Sequence, residues 1–163
     1  VISNKWFSWV PVVPLKGETI TIETPYEPSR VINHGVYIVP SGMAHQLRVG
    51  ATYNAADKSA APTAAGLQYL TDKLNAAVNF SYRIMAHDWA MRPTSRDRRP
   101  IAGLHPQHKA LAIFNGLGTK GVSLSPYLSE ILYDHLAHGK DLNSEIDVNR
   151  FKSVYSKFTN FNL

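Results

Sequence analysis

Apolar and polar side chains alternate along the first third of the chain. The clearest case is Glu18–Glu23, where every second residue is apolar, a period that is typical of a half-buried strand. Apolar side chains are also frequent in residues 4–13, 31–39 and 46–52. Lys16-Gly17 is interpreted as a turn between residues 4–13 and the strand Glu18–Glu23. Four strands packed so closely along the chain predict an antiparallel sheet.

A helical period replaces this alternation after residue 63. Leucines recur three and four residues apart, which predicts a helix from Ala64 to about Val78 with Thr63 as its N-cap. Strands are predicted at 80–91, 100–104 and 110–115, a long helix at 121–138 and a short helical turn at 147–151. The fold class is therefore predicted to be α+β: a mainly antiparallel sheet with a covering helix, then a strand, a glycine turn and a helix.

Composition narrows the classes of protein that remain. The chain has 163 residues, of which 44% are hydrophobic and 18% charged, so it can bury a core as one domain or two dependent lobes. It has no cysteine, which excludes disulfides, thiolate metal sites, cysteine nucleophiles and a flavin attached through cysteine. We see no apolar run long enough for a membrane span and no leader, so cytoplasm is the default expectation.

The net charge of +5 comes largely from one loop, which contains Arg92, Arg96, Arg98 and Arg99. These arginines surround prolines in a short segment and are not spread along a face with interleaved aromatic residues. They are therefore better suited to a small anion than to nucleic acid, which is not an expected partner. Arg92 ends a predicted strand beside Pro93, so its guanidinium can be a rigid carboxylate ligand. The residues by themselves slightly favour the alternative, a structural salt bridge with Asp97.

A turn with glycines at 116, 118 and 121 separates the predicted strand 110–115 from the long helix. Such a turn exposes backbone N–H groups at the positive end of a helix dipole and can hold an anionic or dipolar ligand. A dinucleotide fingerprint would also need a following strand that ends in an acidic residue, and none follows here. The local pattern supports a ligand site and a plain tight turn equally.

Histidines and serines give weaker signals. His105 and His108, and likewise His135 and His138, are three residues apart, but neither pair has a third ligand at an established spacing, so no metal is expected. The chain has no Gly-x-Ser-x-Gly motif. Ser123 and Ser125 are predicted to cap backbone groups of the long helix, and we assign no catalytic residue.

Four ordered landmarks resemble the glycine/D-amino-acid oxidase family of FAD-dependent oxidoreductases. Arg92-Pro-Thr-Ser-Arg-Asp97-Arg-Arg-Pro100-Ile-Ala-Gly103 resembles the family's R-P-x-[ST]-x-D-x-x-P-x-x-G segment. The turn that begins at Asn115-Gly116, with Pro126 in the following helix, is similar to the family's glycine turn. Pro14-Leu-Lys16-Gly17 and Arg48-Val-Gly50-Ala-Thr52 resemble two strands of its substrate-binding sheet.

The resemblance implies that the chain is the C-terminal portion of such a protein, because the N-terminal βαβ unit is absent from the sequence. Residues 1–92 would form part of the substrate-binding lobe, and residues 93–163 would belong to the FAD-binding lobe. FAD would be held non-covalently, would need the missing N-terminal part, and would contact one segment of this chain: Gly116, Leu117, Gly118, Thr119, Lys120, Gly121 and Val122. Arg92 would bind the carboxylate of the substrate, and Asp97 would shape the loop.

Substrate and partners follow only as expectations. Thr119 and Lys120 stand where some amino-acid oxidases of the family carry a second arginine, a departure that argues against a simple amino acid as substrate. The resemblance also offers sarcosine-like secondary amines and a modified tRNA uridine, and the sequence does not choose among them. We expect the segment alone to be inactive and its exposed apolar surface to dock the rest of the parent chain or to promote self-association. The competing hypothesis is a non-catalytic anion- or RNA-binding module that uses the basic loop around Arg92.

Overall fold

The computed structural model describes residues 4–161, the last three by their backbone only. The described part contains seven strands and three helices: β1 Val12–Glu23, β2 Ile32–Asn33, β3 Tyr37–Pro40, β4 Gln46–Gly50, α1 Ala64–Ala77, β5 Arg83–Ser95, β6 Ile101–Leu104, β7 Ala112–Asn115, α2 Gly121–His138 and α3 Lys152–Phe161. Two 3₁₀ segments, Gly118–Lys120 and Val148–Phe151, directly precede α2 and α3. None of the described helices is both long and apolar enough to cross a membrane.

The chain divides into two compact units. One consists of Val1–Pro14 together with Arg92–Leu163, and the other of Leu15–Met91. The described residues up to Pro14 thus belong with the C-terminal part, although residues 1–92 are predicted to form one lobe. The identification of the units with a substrate-binding and an FAD-binding lobe remains a prediction.

The unit Leu15–Met91 is built on a five-stranded sheet in the order β2-β3-β4-β1-β5. Neighbouring strands from β2 to β1 are antiparallel, and Val49 is opposite both Ile20 and Ile38. These apolar side chains, and the α1 residues Leu70 and Leu74, are fully buried in one core. The leucine period thus placed α1 correctly, and the α+β class with a mainly antiparallel sheet is confirmed.

Two predictions for the N-terminal segment are wrong. Lys16-Gly17 is not a turn, because β1 continues through it and the backbone of Lys16 exchanges hydrogen bonds with Asn54 at 3.2 and 3.0 Å. Residues 5–9 form turns and no strand. The Asn4 side chain accepts hydrogen bonds from the N–H groups of Trp6 and Phe7, a local alternative to strand pairing.

The other unit has an aromatic core that includes a buried histidine. Phe7, Trp9 and Tyr155 pack around His105, with Trp9 and Tyr155 ring centroids 4.9 Å apart. The Nδ1 atom of His105 accepts hydrogen bonds from the backbone N–H groups of the following turn, and burial holds the pKa of this imidazole below its usual value. The described residues contain no cluster of three or more potential metal ligands.

Helix α3 supplies Tyr155 to this core, and the sequence analysis missed it. It predicted only the helical turn at 147–151, which is present as the 3₁₀ segment that leads into α3. The helix has no acidic residue in its first turn and no basic residue in its last, so it lacks the usual terminal signals. Packing of Tyr155 against Trp9 compensates for that weak local preference.

The start of α1 depends on a buried carboxylate. Glu18, 3% exposed, accepts hydrogen bonds from the backbone N–H and the hydroxyl of Thr63, the residue that caps the helix through Gly66 N–H. A Cβ at position 66 would come within 2.6 Å of Glu18 Cδ and closer still to Oε2. Gly66 is therefore required by the approach of Glu18 to the helix.

Gly66→Ala is expected to destabilise the fold, although alanine is the better helix former by up to about 1 kcal/mol. The new methyl group would displace a carboxylate that its hydrogen bonds hold in place, so we expect a loss of about 1–3 kcal/mol in the free energy of unfolding. Urea unfolding of the two proteins measures this difference. The exposed substitution Gln68→Ala is the control on the same helix, and a Gly66→Ala protein at least as stable as the original would contradict the contact.

Candidate functional site

The glycine turn has backbone conformations that residues with a side chain rarely adopt. Strand β7 ends at Asn115, and the turn continues through Gly116 and Gly118, whose φ angles are +71° and +52°. At Gly116 a Cβ would also come within 3.0 Å of Ile101 Cγ1, in the core. The turn then tightens into the 3₁₀ segment, in which Lys120 N–H donates to the Leu117 carbonyl at 2.9 Å. The predicted order of strand, glycine turn and helix is thus present.

The start of α2 offers backbone donors that no side chain covers. Neither the 3₁₀ segment nor α2 has a side-chain cap, in contrast to α1 with its cap at Thr63. Thr119 and Lys120 are exposed, and Val122 is 96% exposed. The first N–H groups of such a helix need an acceptor from water or a ligand.

The nearby serines bond carbonyl groups instead of capping the N–H groups. Ser123 Oγ donates to the Lys120 carbonyl at 3.0 Å, and Ser125 Oγ donates to the Gly121 carbonyl. The capping predicted for Ser123 and Ser125 is therefore wrong, and the donors at the start of α2 stay available to another acceptor.

The end of β5 lies beside this turn. Thr94 forms an antiparallel bridge with Leu117, and a Cβ at Gly118 would come within 3.3 Å of Thr94 Oγ1. Arg92 is two residues earlier on β5, so it shares the strand face of Thr94. The structure thus brings the strand end that carries Arg92 next to the glycine turn, within one compact unit.

Asp97, the partner considered for Arg92, is held by a residue that the sequence analysis did not consider. Arg150 Nε donates to Asp97 Oδ2 at 3.0 Å, and Arg150 also reaches the Arg99 carbonyl. Burial would raise the pKa of Asp97, but hydrogen bonds from Arg150 and from the Arg99 N–H hold it below its usual value. Asp97 thus ties its loop to the segment that precedes α3, a structural role consistent with the one predicted.

The basic loop is partly neutralised. Arg99 pairs with Glu145 at 3.2 Å, and Arg150 pairs with Asp97. Arg96 and Arg98 are exposed, and Arg98 has a φ of +59°. Glu145 thus neutralises Arg99, whereas the loop's own carboxylate, Asp97, is occupied by an arginine from outside the loop.

The unit Leu15–Met91 contains a buried charge cluster that was not predicted from the sequence. Lys16 is inaccessible to solvent, and its Nζ lies 2.7 Å from Asp57 Oδ2, 2.8 Å from Ser59 Oγ and 3.4 Å from Glu18 Oε1. His87 Nε2 lies 2.8 Å from Glu18 Oε2, without the alignment of a hydrogen bond. The only signal in the sequence was two opposite charges on one face of a strand, and the interpretation of Lys16 as a turn residue hid it.

Glu18 also lines a cavity of about 280 Å³ beside the start of α1. The wall includes Thr52, Tyr53, Asn54, Thr63 and Tyr69. Because the carboxylate is already bound by Thr63 and Lys16, this cavity does not offer a free charge to a ligand. The glycine turn is the stronger candidate site.

Comparison with known proteins gives one consistent result. The model of the family described as FAD dependent oxidoreductase (DAO) matches residues 3–135. Glycine oxidase of Bacillus subtilis is 28% identical over 138 residues, which are 82% of this chain and 37% of that protein. The chain therefore spans less than two fifths of the length of this relative.

Solved structures agree with the sequence relatives. The crystal structure of glycine oxidase from Geobacillus kaustophilus superposes with a TM-score of 0.67 at 28% identity, covering 87% of this chain and 39% of that chain. Iminodiacetate oxidase from Chelativorans sp. BNC1 superposes with a TM-score of 0.65 at 26% identity, covering 83% and 39%.

Proposed function

Because this chain belongs to the family of FAD-dependent oxidoreductases, we propose that it is the C-terminal part of an enzyme that oxidises an amine or an amino acid by hydride transfer to flavin. The observation that carries the proposal is the glycine turn: an uncapped helix start beside the strand end that bears Arg92. The proposal rests on this geometry together with the family membership.

The residues of the turn fit a flavin. Gly116–Val122 would line the ring, and the backbone N–H groups at the start of α2 would be the donors, because the N–H groups of Gly116 and Lys120 are already bonded within the turn. The left-handed glycines permit a backbone path that side chains would obstruct. The N-terminal end of α2 would favour negative charge on the ring. FAD, when bound, supplies the two-electron acceptor, and this chain supplies orientation and electrostatics. The chain has no cysteine for a thioether link to the flavin, and we propose that FAD is held non-covalently.

Arg92 is proposed to bind the carboxylate of the substrate. A guanidinium forms two parallel hydrogen bonds to a carboxylate, which fixes the position of the adjacent amine-bearing carbon. Two of the similar proteins, a glycine oxidase and an iminodiacetate oxidase, are named for amines that carry a carboxylate. We therefore propose a small carboxylate-bearing amine as the substrate class.

The rest of the parent protein is the proposed partner of this chain. Helix α2 buries only Leu128 and exposes several large apolar side chains: Val122, Tyr127, Tyr133 and Leu136. We propose that the rest of the parent protein covers this helix, and that without it the segment is inactive and tends to self-associate. The comparisons do not favour the alternative of an anion- or RNA-binding module.

The proposal is tested on the full-length protein that contains this chain. We expect purified protein to be yellow, to release FAD on denaturation, and to lose flavin absorbance under anaerobic conditions when glycine or iminodiacetate is added. Amines of similar size without a carboxylate serve as the control substrates. Colourless protein that FAD does not reconstitute would refute the cofactor, and bleaching by the control amines alone would refute the substrate class.

A further inference from the structure

One hydroxyl beside the glycine turn has no hydrogen-bond partner. Thr94 Oγ1 is inaccessible to solvent and unpaired among the described residues. The next residue shows the ordinary outcome, since the buried Ser95 donates its hydroxyl to the Arg99 carbonyl at 2.6 Å. Buried polar groups without a partner are uncommon in native proteins and call for an explanation.

The position of Thr94 links this hydroxyl to the turn. Its backbone bridges Leu117, and the side chain lies against Gly118, where a Cβ would come within 3.3 Å of Oγ1 and 3.7 Å of Cγ2. Valine has the same shape and would fill this space without leaving a polar atom unpaired. Packing against Gly118 therefore does not account for a hydroxyl here.

We propose that Thr94 is a cofactor-binding residue of this site, an inference that rests on the proposed function. Thr94 as a whole is only half-buried, and rotation about its Cα–Cβ bond exchanges the hydroxyl and the methyl group among staggered positions. A change of rotamer would turn the hydroxyl toward a flavin held by the turn, where it donates to a carbonyl oxygen of the ring. The unpaired state belongs to the chain without cofactor, and binding satisfies it.

The test compares Thr94→Val and Thr94→Ser in the full-length protein, with Thr71→Val in α1 as a matched control. The readouts are the FAD dissociation constant of the apoprotein, from flavin fluorescence, and the melting temperature without FAD. We expect Thr94→Val to weaken FAD binding roughly three- to tenfold, the scale of one hydrogen bond. Thr94→Ser and Thr71→Val should bind FAD like the original protein.

Without FAD, Thr94→Val is expected to melt at the same temperature as the original protein or higher, because it removes an unpaired polar group. A lower melting temperature would show that the hydroxyl is already paired in the apoprotein and would overturn the inference. Unchanged FAD affinity in Thr94→Val would overturn it as well. Failure of the unsubstituted protein to bind FAD would instead refute the proposed function.

Discussion

Arg92→Ala in the full-length protein is expected to lower kcat/KM for a carboxylate-bearing amine by about 30- to 1000-fold. The side chain lost is the one proposed to pair with the substrate carboxylate, and loss of charge-assisted hydrogen bonds corresponds to about 2–4 kcal/mol. Arg92→Lys keeps the charge but not the planar fork, so we expect it to recover only part of the loss. Steady-state kinetics with glycine and iminodiacetate measures both variants.

The flavin absorbance spectrum distinguishes a loss of substrate binding in Arg92→Ala from a loss of FAD. Arg92 is not among the residues proposed to hold FAD, so Arg92→Ala protein should retain its flavin absorbance. Arg96→Ala, an exposed arginine on the same loop, is the matched control and should keep the original kcat/KM. If Arg92→Ala and Arg96→Ala have the same kinetics, Arg92 is not a substrate ligand.

Lys16→Met is expected to lower the melting temperature of the chain by roughly 10 °C. The ammonium group of Lys16 is the common partner of Asp57, Ser59 and Glu18, and its removal leaves the buried Glu18 and the partly buried Asp57 without their cation. Methionine retains most of the side-chain volume, so the change reports mainly on charge. Lys157→Met, at an exposed position of α3, is the control and should leave the melting temperature nearly unchanged.

The difference in melting temperature between the original and Lys16→Met proteins should become smaller at low pH. The hydrogen bond from Lys16, together with those from Ser59, lowers the pKa of Asp57 to about 2. A carboxyl group with a depressed pKa stabilises the fold above the pKa of the unfolded chain, about 4, and loses that contribution as the pH falls toward 2. The gap in melting temperature between the original and Lys16→Met proteins should therefore shrink between pH 4 and pH 2. A gap that widens in acid would show that Lys16 does not depress this pKa.

Local sequence patterns predicted an element correctly where residues within that element are sufficient to specify its conformation. The leucine period and Thr63 predicted α1, and the glycines between Asn115 and Val122 predicted the turn before α2. They gave wrong or missing predictions where contacts with distant residues determine the conformation. Lys16-Gly17 has the composition of a turn, but Asp57 and Ser59, some forty residues later, hold Lys16 within a strand. Helix α3 has weak terminal signals and depends on contacts with residues near the start of the chain.

By itself the sequence determined the α+β class, the order of strand, glycine turn and helix, and the family landmarks, because periodicity, backbone preference and motif spacing are properties of neighbouring residues. Only the tertiary structure determined which distant residues contact one another. In the structure Asp97 pairs with Arg150, and the charge of Lys16 is buried beside Asp57. The unpaired hydroxyl of Thr94 lies against Gly118. Burial and the pairing of charges arise when segments far apart in sequence pack together, and no local pattern encodes them.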